Sequence, residues 1–456
     1  MSSIHSPISQ AAWLQAGEAA RKTLSRTEQG EYTPQARDPI AIIETQNANR
    51  LPHLIPMRNA LMAQSAFAFF RGSAAIMARD LGALPHTDTH VVACGDAHIS
   101  NFGVFATPDR RLTFELNDFD EASTAPWEWD VKRLATSVVL ASRERGASAA
   151  EAKRDARDAV HAYQVRIASM MAKTSLERTF ARFDIETLIA NVDSRDIAFM
   201  RGALQHAVHQ TSDHLLPRIT TTTSDGHLRI VENPPTVTHM PALTLEVAQG
   251  LKTEYMQTMR MDSAFLLRQF HLADIVFRVS GVGSVGTRCM LLLLTGPSGE
   301  PLFLQVKQAE ASVLEQFGGA PDMLRTSGRP DHEREGFRVI NCQRILQTAP
   351  DPFLGHVSYE GHDYYVRQFR NMKASINIDK LSGGEFRVYV RLCGALLARS
   401  HAQSPSAPFI HGYLGSSDRF PAAVARWSLA YAEQVEADFT ALRAAVASGR
   451  LHSTGK

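Results

Sequence analysis

The stretch "VVACGDAHISNFGVF", residues 91–105, decides our interpretation of the fold. It begins with a short apolar run that is typical of a β-strand, and then turns at Gly-Asp. The turn carries Asp96, His98 and Asn101 within six residues. We predict Asp96 as a general base that accepts a proton from an attacking hydroxyl, and we group His98 with it as a candidate catalytic residue.

A second acidic segment follows the next strand-like run. "ELNDFDEA", residues 115–122, contributes Asp118 and Asp120. Mg²⁺ prefers a few carboxylate or amide oxygens supplemented by phosphate oxygens and water, so we predict Asn101, Asp118 and Asp120 as metal ligands. The alternative is that Asp96 and Asn101 only form turn hydrogen bonds, but two such segments at this spacing favour phosphoryl transfer.

A glycine-rich segment lies much further along the chain. "SGVGSVGTR", residues 280–288, places Gly281, Gly283, Ser284 and Gly286 between two strand-like runs. A dinucleotide-binding fold would need a helix after the glycines, whereas "TRCMLLLL" predicts a strand. A strand–turn–strand flap over phosphates, as in kinases, fits the context, although a plain turn is the alternative.

The next strand, "LFLQVKQAE", contains Lys307. A kinase needs a lysine at this place to reach the α- and β-phosphates, and a glutamate on a helix to hold that lysine. The candidates for the glutamate are Glu310, Glu315 and Glu335, and we favour Glu315 as part of the nucleotide site. The alternative is a surface lysine beside a solvated carboxylate.

Composition excludes some classes of function. The chain has 456 residues and a formal net charge of +1, from 48 basic and 47 acidic residues, so nothing indicates a nucleic-acid or anionic-membrane partner. Its four cysteines are far apart, which is typical of a reducing cytoplasm. The longest apolar run, "CMLLLLTG", is far too short to span a membrane. We therefore expect a cytoplasmic protein.

Hydrophobic patterning suggests five segments along the chain. We expect a loose leader at 1–50, a helical large lobe with the catalytic and metal loops at 51–240, and a connecting helix at 241–270. A small antiparallel β-rich nucleotide lobe follows at 271–373, and helices at 374–456 complete the large lobe. The predicted fold class is therefore α+β, with the β lobe inserted between helical segments.

"GDAHISN" and "NDFDEASTAPWEWDVKRLA" together resemble the core of the aminoglycoside and choline phosphotransferases, which have the protein-kinase-like fold. The resemblance implies that Asp96 is the base and that Asn101 and Asp118 bind metal. It also implies that Asp130 braces the catalytic loop. Cys94 stands where that family usually has histidine, which puts the local bracing in doubt.

The order of the motifs departs from ordinary kinases, because the glycine segment and Lys307 follow the catalytic loop. A circular permutation of a bilobal kinase-like fold accounts for this order. The chain also resembles the bacterial domain-of-unknown-function family 2252, through segments that include "SAFAFFRGSAAIMARDL", "CGDAHISNFG", "LFLQVKQAEASVLE" and "YYVRQFRNMK". That resemblance supplies no substrate.

The leading hypothesis is a phosphotransferase that uses ATP and Mg²⁺ and acts on a hydroxyl of a small-molecule acceptor. Transfer of AMP by the same fold is an alternative, and a non-catalytic nucleotide-binding regulator is another. A helical binding protein without nucleotide affinity is the fourth. Arg71 and Arg367 belong to the motif-like segments and could steer an anionic acceptor or brace the core.

Overall fold

The protein combines many helices with small antiparallel sheets. The computed structural model describes residues 8–182, 197–279, 285–318, 324–325, 329–369 and 372–454. Within these ranges, no helix has the length and apolar character needed to cross a membrane. The helices are α1 (Gln10–Ala20), α2 (Pro39–Asn47), α3 (Ile55–Met62), α4 (Ala66–Arg71), α5 (Ala74–Gly82), α6 (Trp127–Glu144), α7 (Ala149–Met171), α8 (Ser175–Thr179), α9 (Ala198–Val208), α10 (Ser212–Ile219), α11 (Leu245–Thr258), α12 (Met261–Leu267), α13 (Val313–Gly318), α14 (Glu335–Leu346), α15 (Gly383–His401), α16 (Ala407–Leu414) and α17 (Arg419–Ala447).

The strands form four separate antiparallel sheets. They are β1 (His90–Ala93), β2 (Phe102–Ala106), β3 (Leu112–Leu116), β4 (Ser123–Pro126), β5 (Thr220–Thr222), β6 (Leu228–Ile230), β7 (Val237–Thr238), β8 (His271–Arg278), β9 (Cys289–Thr295), β10 (Pro301–Ala309), β11 (Gly355–Tyr359), β12 (His362–Gln368) and β13 (Ala374–Ser375). The mixed α+β class and the antiparallel sheets confirm that part of the sequence analysis.

The largest sheet has six strands in the order β11-β12-β10-β9-β8-β7. β9 is apolar on both faces and pairs over its full length with β10, from Pro301 opposite Thr295 to Lys307 opposite Cys289. Helix α14 connects β10 to β11 and packs against β11 and β12. The sheet reaches back to Val237, so it begins before the boundary at residue 271 that we expected.

The expectation of a loose leader at 1–50 is wrong for the part that the structure describes. Helix α1 packs so closely on α16 that a Cβ on Gly17 would lie 2.0 Å from the backbone oxygen of Phe409. Helix α2 begins at the N-cap Asp38 and buries Ile40 and Ile43. Residues from this segment therefore belong to the helical core, since their apolar side chains have a partner surface contributed by the far end of the chain.

The expected connecting helix at 241–270 is two helices, α11 and α12. Helix α11 begins at the N-cap Thr244, buries Tyr255 and packs against β8 and β11 of the six-stranded sheet. The segment is thus part of the structure around the sheet and not only a connection.

Two small sheets hold the segments that contain Asp96 and Asp118. β1 pairs with β4, and β2 pairs with both β3 and β13. The loop that carries Asp96, which we predict to be catalytic and call the catalytic loop below, connects β1 to β2, and the segment that begins at Asn117 connects β3 to β4. Because β13 follows the six-stranded sheet in sequence and pairs with β2, the chain returns to this region after residue 373.

Helices from both halves of the chain enclose these sheets. Helix α15 begins with a capping box formed by Ser382 and Glu385 and packs along α7. The approach is tight, because a Cβ on Gly394 would lie 2.0 Å from the backbone oxygen of Ala159. Helix α6, which follows β4, is buried on nearly all sides and carries Asp130 in its first turn.

Candidate functional site

The loop that carries Asp96 depends on a glycine at position 95. β1 ends at Ala93, and Gly95 has a φ of +78°, a conformation that L side chains rarely adopt. A Cβ on Gly95 would lie 2.3 Å from the backbone oxygen of Glu121. The catalytic loop therefore lies directly against the acidic segment that follows β3, and glycine allows that contact.

Asp130 holds the beginning of this loop. Its carboxylate accepts hydrogen bonds from the backbone N–H groups of Cys94, at 2.6 Å, and Gly95, at 2.9 Å. His401 Nε2 lies 3.1 Å from the same carboxylate, and His401 Nδ1 lies 2.8 Å from the hydroxyl of Tyr163. These groups are buried, so the loop is fixed from helix α6 and, through His401, from helix α15. Asp130 braces the loop as the resemblance implied.

Arg133 fixes the side chain of Asp96. Its guanidinium lies 2.6 Å from Asp96 Oδ1 and 4.2 Å from the ring centre of Phe70, and it also donates to the backbone oxygen of Phe70. Sequence reasoning missed this residue. The available signal was its position three residues after Asp130, which puts both side chains on one face of a helix.

His98 is neutral at neutral pH. Burial lowers the pKa of His98 to about 4, with help from the charges of Arg71 and Arg133, and the charge of Asp96 does not compensate. Its Nε2 lies 3.5 Å from Asp96 Oδ2. The ring also packs edge-on against Phe67. His98 therefore lies beside the candidate base and can contact it without carrying a charge.

Asn101 connects the catalytic loop to the second acidic segment. Its Nδ2 donates to the backbone oxygens of Asp96 and Asp118, both at 3.0 Å, and its Oδ1 accepts from the backbone N–H of Asp118 at 2.7 Å. The Sγ of Cys94 lies 3.6 Å from the same oxygen of Asp118. The thiol thus occupies the bracing position that was in doubt, between the loop and the segment.

Lys307 meets both aspartates of the second segment. Its Nζ lies 2.7 Å from Asp120 Oδ2 and 3.4 Å from Asp118 Oδ1. The hydroxyl of Tyr365 donates to Asp120 Oδ1 at 2.6 Å. Strand β10 and its neighbour β12 supply Lys307 and Tyr365 as cross-strand partners, so the sheet itself aims both groups at the same carboxylate.

The charges in this cluster stabilise one another. Burial would raise the pKa of Asp118, but Lys307, Arg367 and Lys373 hold it below its usual range. Burial would likewise lower the pKa of Lys307, yet Asp118 and Asp120 raise it well above its usual value. The Asp118 side chain is 44% exposed, so a charged carboxylate faces the solvent beside a buried ammonium.

Glu315 is not the carboxylate that Lys307 contacts, and our expectation of that pair is wrong. Glu315 Oε1 accepts from the hydroxyl of Ser123 at 2.7 Å, and Glu315 Oε2 lies 3.2 Å from Arg325. Glu335, another candidate, pairs with Arg338 at 2.7 Å. The physical reason is that the two aspartates after β3 already occupy the position of a counter-charge for Lys307.

Arg338 of helix α14 is a second residue that sequence reasoning missed. This fully buried side chain donates to the backbone oxygens of Asp120, at 3.0 Å, and Glu310, at 2.6 Å, and also to that of Ala122. Glu310 lies just past the end of the strand that carries Lys307. One guanidinium therefore ties the acidic segment to the strand that carries Lys307.

Part of the glycine-rich segment lies outside the described residues, namely Gly281, Gly283 and Ser284. Gly286 is described and has a φ of +94°. Its backbone oxygen accepts from the N–H of Leu51 at 2.8 Å, and Arg50 donates to the backbone oxygen of Val285 at 2.5 Å. The end of the segment is thus anchored to residues 50 and 51 near the start of the helical core.

Two cavities adjoin this cluster, and the consecutive residues Asn117 and Asp118 line different ones. The larger has a volume of about 610 Å³. Its polar lining side chains include three basic residues and one carboxylate, and are Asn117, His206, Arg278, Gln305, Gln343, Gln347, Asp351, Arg367, Gln368, Lys373 and Ser375. The smaller, of about 70 Å³, is lined by Gln46, Arg50, Arg71, Gly72, Ala74, Asp96, Asp118, Asp120, Glu121, Thr287, Gln308 and Glu310.

The sequence suggested two roles for Arg367, steering an anionic acceptor or bracing the core, and its contacts in the structure favour the second. Its Nη1 donates to the backbone oxygen of Asn117 at 2.9 Å, and its Nε donates to Gln305 Oε1 at 3.2 Å. These bonds tie β12 to β10 and to the acidic segment. Arg367 therefore braces the wall of the larger cavity.

The oxygen atoms of Asp118, Asp120 and Asn101 show which of the predicted ligands could bind Mg²⁺. Asp118 is charged and partly exposed, whereas both oxygens of Asp120 are engaged by Lys307 and Tyr365. The Oδ1 of Asn101 keeps one lone pair beside the bond that it accepts. In the described part of the chain, no group of three or more His, Cys, Asp or Glu side chains is arranged to hold a metal ion. The oxygens that could contribute to a metal site are therefore those of Asp118 and the Oδ1 of Asn101.

Comparison with known proteins gives one family. The profile described as "Uncharacterized protein conserved in bacteria (DUF2252)" matches residues 50–445. No curated protein matches the chain, and no solved structure matches it. The match spans most of the chain and includes the catalytic loop, the acidic segment, the glycine-rich segment and Lys307. The chain therefore belongs to the DUF2252 family of bacterial proteins.

Proposed function

We propose that the protein is a phosphotransferase that uses Mg²⁺ and ATP and acts on a hydroxyl of a small acceptor. The observation that carries the proposal is the contact of Lys307 with Asp118 and Asp120, next to the Asn101 bridge that leads to Asp96. Phosphoryl transfer needs a base, a metal-binding acid and a cation for the phosphates, held in one place. These residues provide that set.

The proposed roles follow from the geometry. Arg133 occupies Oδ1 of Asp96, which leaves Oδ2 to accept the proton of the attacking hydroxyl. Asp118 and Asn101 would hold Mg²⁺, which supplies charge neutralisation between phosphate oxygens when bound. Lys307, now paired with the two aspartates, would contact the phosphates when nucleotide is bound.

The order of elements around Lys307 supports a kinase-like, circularly permuted fold. In protein kinases, a glycine-rich loop covers the phosphates and a lysine follows on the third strand. Here β8, the glycine-rich segment, β9 and β10 occur in that order, and the helices α13 and α14 follow β10. The catalytic loop comes earlier in the chain and yet lies beside this strand, as a permutation requires.

The larger cavity is our candidate nucleotide pocket. Gln305 lies two residues before Lys307 on the same face of β10, and Asn117 directly precedes Asp118. The basic side chains Arg278 and Lys373 line the same cavity and favour an anionic ligand. A nucleotide seated there would extend its phosphates towards Lys307 and Asp118.

The experiment is a transfer assay with ATP labelled at either the α- or the γ-phosphate. Wild type is compared with Asp96→Asn, and a mixture of small hydroxyl compounds serves as acceptor. Transfer of the γ label but not the α label to an acceptor, seen with wild type and not with Asp96→Asn, supports phosphoryl transfer. Label transferred from the α position would replace the proposal with AMP transfer, and binding of ATP without either transfer would favour a regulator.

A further inference from the structure

We propose that Arg71 binds an anionic group on the acceptor, so that the substrate is a small hydroxyl compound carrying a carboxylate or a phosphate. This inference rests on the proposed function and specifies its substrate class. It follows from the position of Arg71 in the cavity of Asp96 and from the distribution of charge in that cavity.

The backbone holds Arg71 at a defined place. It is the last residue of α4, directly after the buried Phe69 and Phe70. The chain then turns at Gly72, where a Cβ would lie 2.9 Å from the side chain of Met62. With buried aromatic rings on one side and a close packing contact on the other, the side chain of Arg71 is directed into the cavity that it lines.

Arg71 has no counter-charge of its own within the described part of the chain. Its Nε is buried without a hydrogen-bond partner, and no described residue forms an ion pair with its guanidinium. Its charge nevertheless acts on the catalytic loop, because it contributes to the low pKa of His98. The guanidinium therefore lies near the candidate base and remains available to a ligand.

The aspartates that line the same cavity already have cations. Asp96 is paired with Arg133 at 2.6 Å, and Lys307 serves both Asp118 and Asp120. Because these carboxylates already have counter-charges, they do not need Arg71 as an ion-pair partner. Within the described part of the chain, no ion pair offsets the positive charge of Arg71.

The two glutamates of the cavity are also accounted for. Glu121 accepts from the backbone N–H of Val313 at 2.9 Å. Glu310 lies among the charges of Arg50 and Arg288. Among the described residues, neither glutamate forms an ion pair with Arg71.

An acceptor explains this arrangement better than the nucleotide does. Lys307 already provides a cation for the phosphates, in contact with Asp118 and Asp120. Arg71 lines the same cavity as Asp96, the candidate base, and its charge acts on His98, which lies beside Asp96. An arginine binds carboxylate or phosphate through two parallel hydrogen bonds, which would orient the acceptor as well as attract it.

The test uses four matched three-carbon probes, namely glycerate, glycerol 3-phosphate, glycerol and the cationic serinol. Binding of each probe to the full chain is measured by calorimetry, in the presence of magnesium and a non-hydrolysable ATP analogue. The variants are Arg71→Met and Arg71→Lys, with Arg79→Met as a control that removes an exposed arginine on the next helix. The thermal shift produced by the ATP analogue is recorded for every variant.

We expect wild type and Arg79→Met to bind at least one anionic probe more tightly than glycerol or serinol. Arg71→Met should weaken that binding about 10- to 100-fold, as for loss of a charged hydrogen bond, and Arg71→Lys should weaken it less. Binding of the cationic or neutral probe alone would overturn the inference. So would anion binding that is equal in wild type and Arg71→Met, including none in either.

The thermal shift with the ATP analogue distinguishes failure of the Arg71 inference from failure of the proposed function. A smaller shift by the ATP analogue in Arg71→Met than in Arg79→Met would place Arg71 at the nucleotide phosphates and overturn its acceptor role. Absence of any shift in wild type would instead contradict the proposed function, whatever the probes do.

Discussion

Lys307 Nζ lies 2.7 Å from Asp120 Oδ2, although Lys307 belongs to the six-stranded sheet and Asp120 to the segment after β3, far away in the chain. The lysine is 3% exposed, so this contact joins the six-stranded sheet to the acidic segment through a buried charge. The proposed site depends on that junction. Five predictions test it and the elements around it.

Replacing Lys307 with methionine should destabilise the protein as well as remove nucleotide binding. The change leaves Asp118 and Asp120 without their buried counter-charge, and partial exposure of both carboxylates limits the loss to about 2 kcal/mol in the free energy of unfolding. Urea unfolding at pH 7 measures the loss. A variant as stable as wild type would show that the pair contributes nothing.

Gly95→Ala should destabilise the protein more than Gly146→Ala does. Both glycines have nearly the same positive φ, +78° and +79°. A Cβ at position 95 would overlap the backbone of Glu121, whereas position 146 has nothing within 4 Å. Backbone strain alone predicts about 1 kcal/mol for the control, and the variant at 95 should lose clearly more. Equal unfolding free energies for the two variants would refute the close contact between loop and segment.

Arg338→Met should lower the free energy of unfolding by about 3 kcal/mol, because it leaves several backbone oxygens and the Oε2 of Glu335 without the donor that Arg338 provides. Arg338→Lys should recover part of the stability, but it cannot reproduce the fork that reaches Asp120 and Glu310 together. If Arg338 positions Lys307, the lysine variant should bind nucleotide less tightly than wild type even where it is folded. Unchanged nucleotide affinity in a folded Arg338→Lys would limit the residue to a structural role.

His98 should make the protein less stable as the pH falls from neutrality. Its pKa in the folded state is about 4, below the ordinary value of about 6.5, so the unfolded chain takes up a proton that the folded chain does not. Stability is therefore lost as pH falls through 6.5 and the loss continues down to pH 4. Between pH 7 and pH 5 the contribution is about 2 kcal/mol.

The measurement compares unfolding free energies at pH 7 and pH 5 for wild type and His98→Gln. The variant should lose less stability between the two pH values. His53→Gln, at an exposed position, serves as the control and should follow wild type. An identical pH dependence in wild type and His98→Gln would contradict the buried neutral state of His98.

Asp96→Asn should reduce turnover by about 10²- to 10⁴-fold while nucleotide still binds, because the amide cannot accept the acceptor proton. The variant also leaves the buried Arg133 without its counter-charge, so its unfolding midpoint must be measured in the same samples. Full activity in a folded Asp96→Asn would remove Asp96 as the base.

The motifs in the sequence anticipated much of the candidate site. "GDAHISN" and "NDFDEA" each follow a short strand, and the structure brings Asp96, Asn101 and Asp118 together there. The spacing of the motifs in the sequence was enough to predict that these residues lie together, because one side chain, Asn101, bonds to both segments. Lys307 was predicted from its strand, and the structure adds its contact with the two aspartates of the segment after β3.

Other parts depended on contacts that a linear sequence does not display. Residues 8–50 look polar and weakly periodic, and their burial depends on helices near the other end of the chain. Lys307 has several glutamates nearby in sequence, and yet the carboxylates that it contacts follow β3. Arg338 resembles an ordinary helical arginine, and only the tertiary structure shows that backbone oxygens surround it.

The most direct test of the central claim is a thermal shift with Mg²⁺ and ATP on wild type and on Asp118→Ala. A ligand that binds only the folded state raises the unfolding midpoint by mass action. A higher midpoint in wild type that is largely lost in Asp118→Ala, and lost again when the metal is chelated, is the predicted result. An unchanged midpoint in wild type at saturating Mg²⁺ and ATP would contradict the nucleotide site and the phosphotransferase built on it.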